Sequence, residues 1–337
     1  RLDKGLNVST ALPASPLFRL VTLTTNLPLR ANEVYNVVVS GVSDCAGNTM
    51  GMMNAARAGL PRTPLEKDLV INEVLFNPRA GEPDFVELYN RSNNILDAAA
   101  LQIASRNLSG VLSTPQRISE TSFLIFPGDY LVISADKLRV PASVFVPAGF
   151  PSMPDDKGTV VVLSNQGIII DELSYDERWH FPLVTAHEGV ALERIDVNAP
   201  TQSRDNWTSA ASDAGFATPG RLNSQSRTPN SFRENTTVSP RIFSPDNDGW
   251  DDHCFIHYRF ASPGYVANIS IFDAGGYLVR NLVQSATLSR QGFFRWDGLD
   301  NAGKPLPMGV YIILTEVFNL EGRTVKFKNP VTLARRF

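Results

Sequence analysis

The stretch Phe243-Ser-Pro-Asp246-Asn-Asp248-Gly249-Trp-Asp251-Asp252-His253-Cys254-Phe255-Ile256-His257-Tyr258-Arg259-Phe260 joins an acidic turn to a strand. Its second half alternates. Cys254, Ile256, Tyr258 and Phe260 share one face, while His253, Phe255 and His257 share the other, which is the two-residue period of a half-buried strand. Its first half places four carboxylates and a turn-forming glycine within ten residues. A hard cation can hold such a cluster through oxygen ligands, or the side chains can bond back to their own turn. Both are ways of stapling a loop.

Outward from this stretch the same pattern repeats. Short alternating runs bounded by Gly, Pro, Asn and Asp recur along the chain, with no long amphipathic helix among them. The expected fold class is all-β, with strand-rich modules in series. The 337 residues, 43% hydrophobic and 19% charged, are enough for two or three domains that each bury a core. A net charge of -3 from 31 basic and 34 acidic residues gives no field that would gather nucleic acid or an anionic membrane. No apolar run is long enough for a membrane-spanning helix, and no signal-like segment opens the chain. A chain that begins at Arg1 rather than Met reads as a piece of a longer precursor.

Two cysteines cannot build a disulfide framework. Alternation buries Cys254 as an inert thiol, whereas Cys45, in the loop Ser43-Asp44-Cys45-Ala46-Gly47-Asn48, is expected to be exposed.

Three segments carry resemblances. In Val34-Tyr-Asn-Val-Val-Val-Ser40, Tyr35, Val37 and Val39 share a face, and the loop to Asn48 follows. This resembles the closing strands of bacterial Ig-like domains, so residues 1–64 are read as a partial Ig-like domain whose last part, from about Met50 to Glu66, is a connector.

Next come Asp68-Leu-Val-Ile-Asn72-Glu73-Val-Leu-Phe76-Asn77-Pro78 and Asp84-Phe85-Val86-Glu87-Leu88-Tyr89-Asn90. They are followed in order by Phe126-Pro127-Gly128-Asp129-Tyr130, Gly189-Val-Ala-Leu192-Glu193-Arg194, Trp207 and Ala217-Thr218-Pro219-Gly220. The set resembles the lamin-tail domain and implies an Ig-like β-sandwich over residues 65–226. A polar run, 227–237, then reads as a linker.

Residues 238–337 combine the acidic loop with Val266-Ala-Asn-Ile-Ser-Ile-Phe-Asp273, Gly292-Phe-Phe-Arg-Trp296-Asp297-Gly298 and Gly309-Val-Tyr311. They resemble the FlgD-like Ig-fold domain at the C-termini of secreted Bacteroidetes proteins, related domains of which are type IX secretion signals. The resemblances together imply tandem Ig-like β-sandwich modules, located outside the cell or on the outer-membrane surface.

Candidate chemistry is sparse. Glu73 and Glu87 lie on strands expected to pair, which is the raw material of an acid–base pair. A hairpin face rarely supplies the necessary cleft, so each is expected to cap backbone N–H groups or to meet a base such as Arg194. Trp179, His180, Phe181 and Trp207 are read as packing anchors.

Placing Asp248-Gly249 at positions five and six of an EF-hand loop puts Phe255 at position twelve, where a bidentate Glu is required, so an EF-hand is excluded. A looser structural calcium cage of Asp246, Asp248 and Asp252 stands beside the turn reading. His253 and His257 lack a third zinc ligand nearby. No nucleophile elbow, phosphate-binding glycine loop or CxxC pair is present.

The expectation is therefore a non-catalytic chain engaged in structural spacing, adhesion or docking, with a protein partner at the cell surface or in the secretion machinery and no nucleic-acid partner. The alternative is a set of accessory modules that bind glycan or nucleic acid for an upstream enzyme. An exposed aromatic platform would favour the alternative.

Overall fold

The computed structural model describes residues 1–16, 20–44, 46–52, 54–140, 142–227 and 234–335. Cys45, most of the linker and the closing Arg336 and Phe337 lie outside the described residues. Regular structure among the described residues is β-strand with four single-turn 3₁₀ segments, so the chain is all-β.

The N-terminal region has two antiparallel pairs, Val8–Pro13 with Val21–Thr25 and Tyr35–Val38 with Ala55–Ala58. The second pair places a strand inside the segment read from sequence as connector. Arg57 explains its position. Its guanidinium donates twice to Asp129, at 3.0 and 2.8 Å, and stacks 4.2 Å from the Phe126 ring, which ties this strand to the next region. The core here is small: Leu2, Leu6 and Tyr35 are buried, with Val8, Leu29 and Val37 against them.

The middle region is a sandwich. One sheet has six strands in the spatial order Val144–Phe145, Tyr130–Ser134, Phe85–Asn90, Leu69–Leu75, Leu192–Arg194 and Trp207–Ser209. The other has four, Ile169–Asp176, Lys157–Ser164, Leu101–Ser105 and Gln116–Arg117. Alternation turns Leu69, Ile71, Val86, Leu88, Leu131, Ile133 and Leu192 inward against Leu101, Ile103, Val160, Val162, Ile170 and Leu173.

Leu69–Leu75 is buried throughout, because its outer face is also covered. There Leu75, Phe85, Val132, Ala191 and Ala210 form a second apolar layer, with Ala217 packed against it.

The C-terminal region is a second sandwich. A three-stranded sheet, Asn235–Ser239, Cys254–Arg259 and Gln291–Trp296, faces a five-stranded sheet ordered Ile242–Phe243, Thr324–Leu333, Gly309–Asn319, Tyr265–Asp273 and Leu278–Thr287. Trp296 fills its centre, with Phe243 5.1 Å and Tyr311 5.4 Å away and its indole N–H donating to Leu299 O. Cys254 and Ile256 are buried beside it, as alternation required, and burial pushes the Cys254 thiol up to about 12. The first strand starts at Asn235, earlier than the sequence-derived start at 238, because Thr236 already pairs with Tyr258 and accepts a hydrogen bond from Asn329.

Candidate functional site

Three places concentrate polar or aromatic side chains. The first is the acidic loop. Side-chain oxygens of Asp246, Asp248 and Asp252 lie within 4.8 Å of one another, with Asp246 and Asp248 exposed and Asp252 partly buried. It is the only such convergent group among the described residues, and His253 and His257 belong to none.

The same carboxylates also hold the turn. Asp252 accepts from Asn247 N–H at 2.6 Å and from Gly249 N–H at 2.9 Å, and Asp248 accepts from Trp250 N–H at 2.8 Å. Ser244 N–H closes the loop onto Asp251 O. Three residues here have positive φ, Asn247 (61°), Gly249 (89°) and Asp251 (49°), all of types that tolerate the left-handed region. The turn reading is thus realised in full, and the convergent oxygens also suit a hard cation.

The second place is the outer face of the three-stranded C-terminal sheet. Cross-strand register sets Thr237 beside His257 and His257 beside Phe293, with Phe255 beside Arg295. Phe255 and Phe293 meet edge to face at 5.4 Å, His257 lies 5.9 Å from Phe293, and Phe293 is 57% exposed. An open depression of about 660 Å³, lined by Asn235, Thr237, His257 and Phe293 among others, covers this face. A second depression of about 660 Å³ adjoins it at the junction with the middle sandwich, where Arg221, Asn223 and Arg290 contribute.

The third place is internal. Glu73, Glu87 and Glu193 are completely buried and stand side by side on three neighbouring strands, Glu73 opposite Glu87 and Glu193 opposite Glu73. An irregularity between Ile71 and Glu73 lets Asn72 reach the same group, and its amide donates to Glu87 at 2.8 Å.

Among the described residues, all other partners come from one chain segment, 218–225, that straps across this face. Thr218 N–H donates to Glu73 and Gly220 N–H to Glu87. The Thr218 hydroxyl, both the N–H and the hydroxyl of Ser224, and Gln225 N–H donate to Glu193. Every donor is neutral.

Two ionised carboxylates at a cross-strand separation of ~5 Å repel by about 3 kcal/mol at an effective dielectric near 20. Burial raises all three carboxyls, Glu87 to about 8, and for Glu73 and Glu87 the neighbouring carboxylates add to the rise. The hydroxyl of Thr218 points the same way: it lies 2.6 Å from Glu193 and 3.3 Å from Glu73, yet has one proton to give.

The structure therefore confirms that Glu73 and Glu87 cap backbone N–H groups and shows that Arg194 partners neither. Arg194 projects to the opposite face of the sheet, 3.4 Å from Asp171, with Thr201 bridging at 2.7 Å to each. Burial raises Asp171 and brings Arg194 down to about 10. Trp207 packs on Arg194 and donates to Thr201 O, as expected of an anchor. His180 is buried against Phe76 and His187, its Nδ1 2.9 Å from the Ser209 hydroxyl, and burial pushes it down to about 3.

Sequence reading missed Glu193 as the third carboxyl, and it missed the joint between sandwiches. At the joint Asp213 accepts from Ser289 N–H and hydroxyl at 2.9 and 2.7 Å, and Ser212 is doubly bonded to Thr287. The Gln225 side chain donates to Leu288 O and accepts from Gly264 N–H. The Arg290 guanidinium donates to Ser226 O and Ala261 O, and its N–H donates to Ser224 O. A signal existed for Glu193, a carboxylate directly after the apolar run Val190-Ala191-Leu192. None existed for Arg290.

Neither a protein-family model nor a curated protein matches the chain. Among solved structures, CopC from Methylosinus trichosporium OB3b is similar over 31% of this chain and 97% of its own, at 19% identity and a TM-score of 0.22. Dimeric latent PorU from Porphyromonas gingivalis is similar over 96% of this chain and 28% of its own, at 11% identity and a TM-score of 0.23. PorZ, a surface component of the type IX secretion system of the same organism, is similar over 92% and 38%, at 12% identity and a TM-score of 0.23. The chain thus spans under two-fifths of PorU and PorZ.

Proposed function

We propose that this chain is a set of non-catalytic β-modules from a secreted or cell-surface bacterial protein, serving structural spacing, adhesion or docking, with the last module also acting as a type IX export signal. The observation that carries the spacing role is the joint. Residues 224–226, which close the segment assigned from sequence to the middle sandwich, are bonded to both sandwiches and tie the two modules together. The export role rests on the resemblance of residues 238–337 to FlgD-like C-terminal domains. Calcium in the acidic loop, if bound, would be structural.

Two measurements test this reading. Small-angle scattering of the full chain should fit one fixed arrangement of the two sandwiches, and an ensemble of arrangements would defeat the spacing role. Deleting residues 238–337 from the precursor should retain it inside the cell, and normal surface delivery would defeat the export role.

The accessory reading has one observation in its favour, the exposed Phe293 with Phe255 and His257 around it and the amides of Asn235 and Gln291 at its rim. Aromatic faces edged by amides suit sugar rings. Retention on polysaccharide columns that is lost in Phe293→Ala would move weight to that reading.

A further inference from the structure

We propose that Glu73, Glu87 and Glu193 form a proton-held latch, which keeps the strap 218–225 seated and the C-terminal sandwich docked, and which releases both in mild alkali. This rests on the docked joint argued above. The strap that satisfies the three carboxyls also makes part of the joint, through Ser224 and Gln225. Ser224 donates twice to Glu193 while its carbonyl accepts from Arg290, and Gln225 donates its N–H to Glu193 while its side chain binds Leu288 and Gly264. Whatever expels the strap from the carboxyls therefore pulls on the joint.

Protons are needed because, among the described residues, nothing positive bonds to the cluster. The strap brings only hydroxyls and N–H groups, and its one cation, Arg221, is exposed and bonded to Ala217 O. The neighbouring strands bring Tyr130 and Tyr89, and the Tyr130 phenol is itself held up by burial and by Glu87. Behind the sheet Arg194 is taken by Asp171 and Thr201. At the joint, Asp213 binds Ser289, and Arg290 binds carbonyls.

The sign follows from proton counting. A carboxyl that titrates higher in the folded state than in the unfolded state holds more protons when folded, so its stabilisation is present at low pH and is lost as pH rises through the folded value. For Glu87 that window runs from the ordinary 4.5 to about 8. Release then reflects like charges forced together under a strap whose one cation, Arg221, is bonded to Ala217 O instead.

The test is single-molecule energy transfer between dyes at Leu108→Cys and Tyr277→Cys, both exposed positions on different sandwiches, in a full chain carrying Cys45→Ser. Titration would run from about pH 6 to about pH 10. The wild-type background should show one narrow population in acid that is lost to a broad one in alkali. A Glu73→Gln/Glu87→Gln variant, in which Glu193 alone can ionise and meets no like charge beside it, should keep the narrow population throughout. Should the double variant fail to fold, Glu87→Gln alone should move the midpoint upward. A narrow population that survives alkali in the wild-type background would overturn the latch, as would an unshifted midpoint in the variants. A broad population already in acid would overturn the docked joint itself, and the latch with it.

Discussion

The molecule holds two acidic clusters built on opposite principles. Asp246, Asp248 and Asp252 belong to one loop, face solvent, and bond to backbone within five residues of themselves. Glu73, Glu87 and Glu193 come from three strands, see no solvent, and are satisfied by a strap up to 145 residues away in sequence. The exposed set carries its charge cheaply and staples its own loop. The buried set must shed charge, and its satisfaction determines how two modules meet.

The widest contrast should come from deletion. Glu193→Ala leaves three donors, the N–H and hydroxyl of Ser224 and the N–H of Gln225, without acceptors in a buried layer, while the Thr218 hydroxyl keeps Glu73. At about 1–3 kcal/mol per orphaned group, partly relieved by relaxation, a loss of roughly 4 kcal/mol is expected in urea unfolding. Asp246→Ala, in the solvated loop, should cost under about 1 kcal/mol by the same measurement. Equal losses would erase the distinction between the clusters.

Next in size is the pH profile of thermal unfolding. The raised glutamates, joined by Asp84 at about 6, withdraw stability as pH climbs from 4.5 toward 8. His180, held neutral down to about 3, withdraws it as pH falls below 6.5, since the unfolded chain then binds the extra proton. Stability should therefore decline on both sides of a mildly acidic optimum, and Glu87→Gln should flatten the alkaline limb only. A flat profile in the parent chain would contradict the proton-held state of the buried set.

Arg290→Ala should follow, removing the guanidinium bonds to Ser226 and Ala261 for about 2 kcal/mol and loosening the joint without unfolding either sandwich. Faster tryptic cleavage near Arg227 would register the loosening, and an unchanged rate would place the joint's strength elsewhere.

The smallest effect tests the exposed set. If calcium binds there, tenfold excess over its dissociation constant adds about 1.4 kcal/mol to the C-terminal sandwich, and Asp248→Asn should abolish the gain. No calcium-dependent shift in melting temperature would leave the loop to its own hydrogen bonds.

How far the sequence reached differs between the clusters for the same reason. Alternation in 254–260 placed Cys254 and Ile256 in the core and His257 outside, since a strand's faces follow from its backbone period alone. The acidic loop was legible because its partners lie within a few residues, where hydrogen bonding needs no knowledge of the fold. Glu73 and Glu87 were visible as paired positions on a hairpin, but their partners were not.

What the sequence determined by itself is the local half: an all-β chain, the faces of its strands, its turns and its self-bonded aspartates. It took the tertiary structure to bring Glu193 to Glu73 and Glu87, to turn Arg194 away to Asp171, and to bond residues 224–226 to both sandwiches. Those outcomes depend on strand register and on which segment covers a sheet face, choices settled by long-range burial and by the need to satisfy every buried polar group.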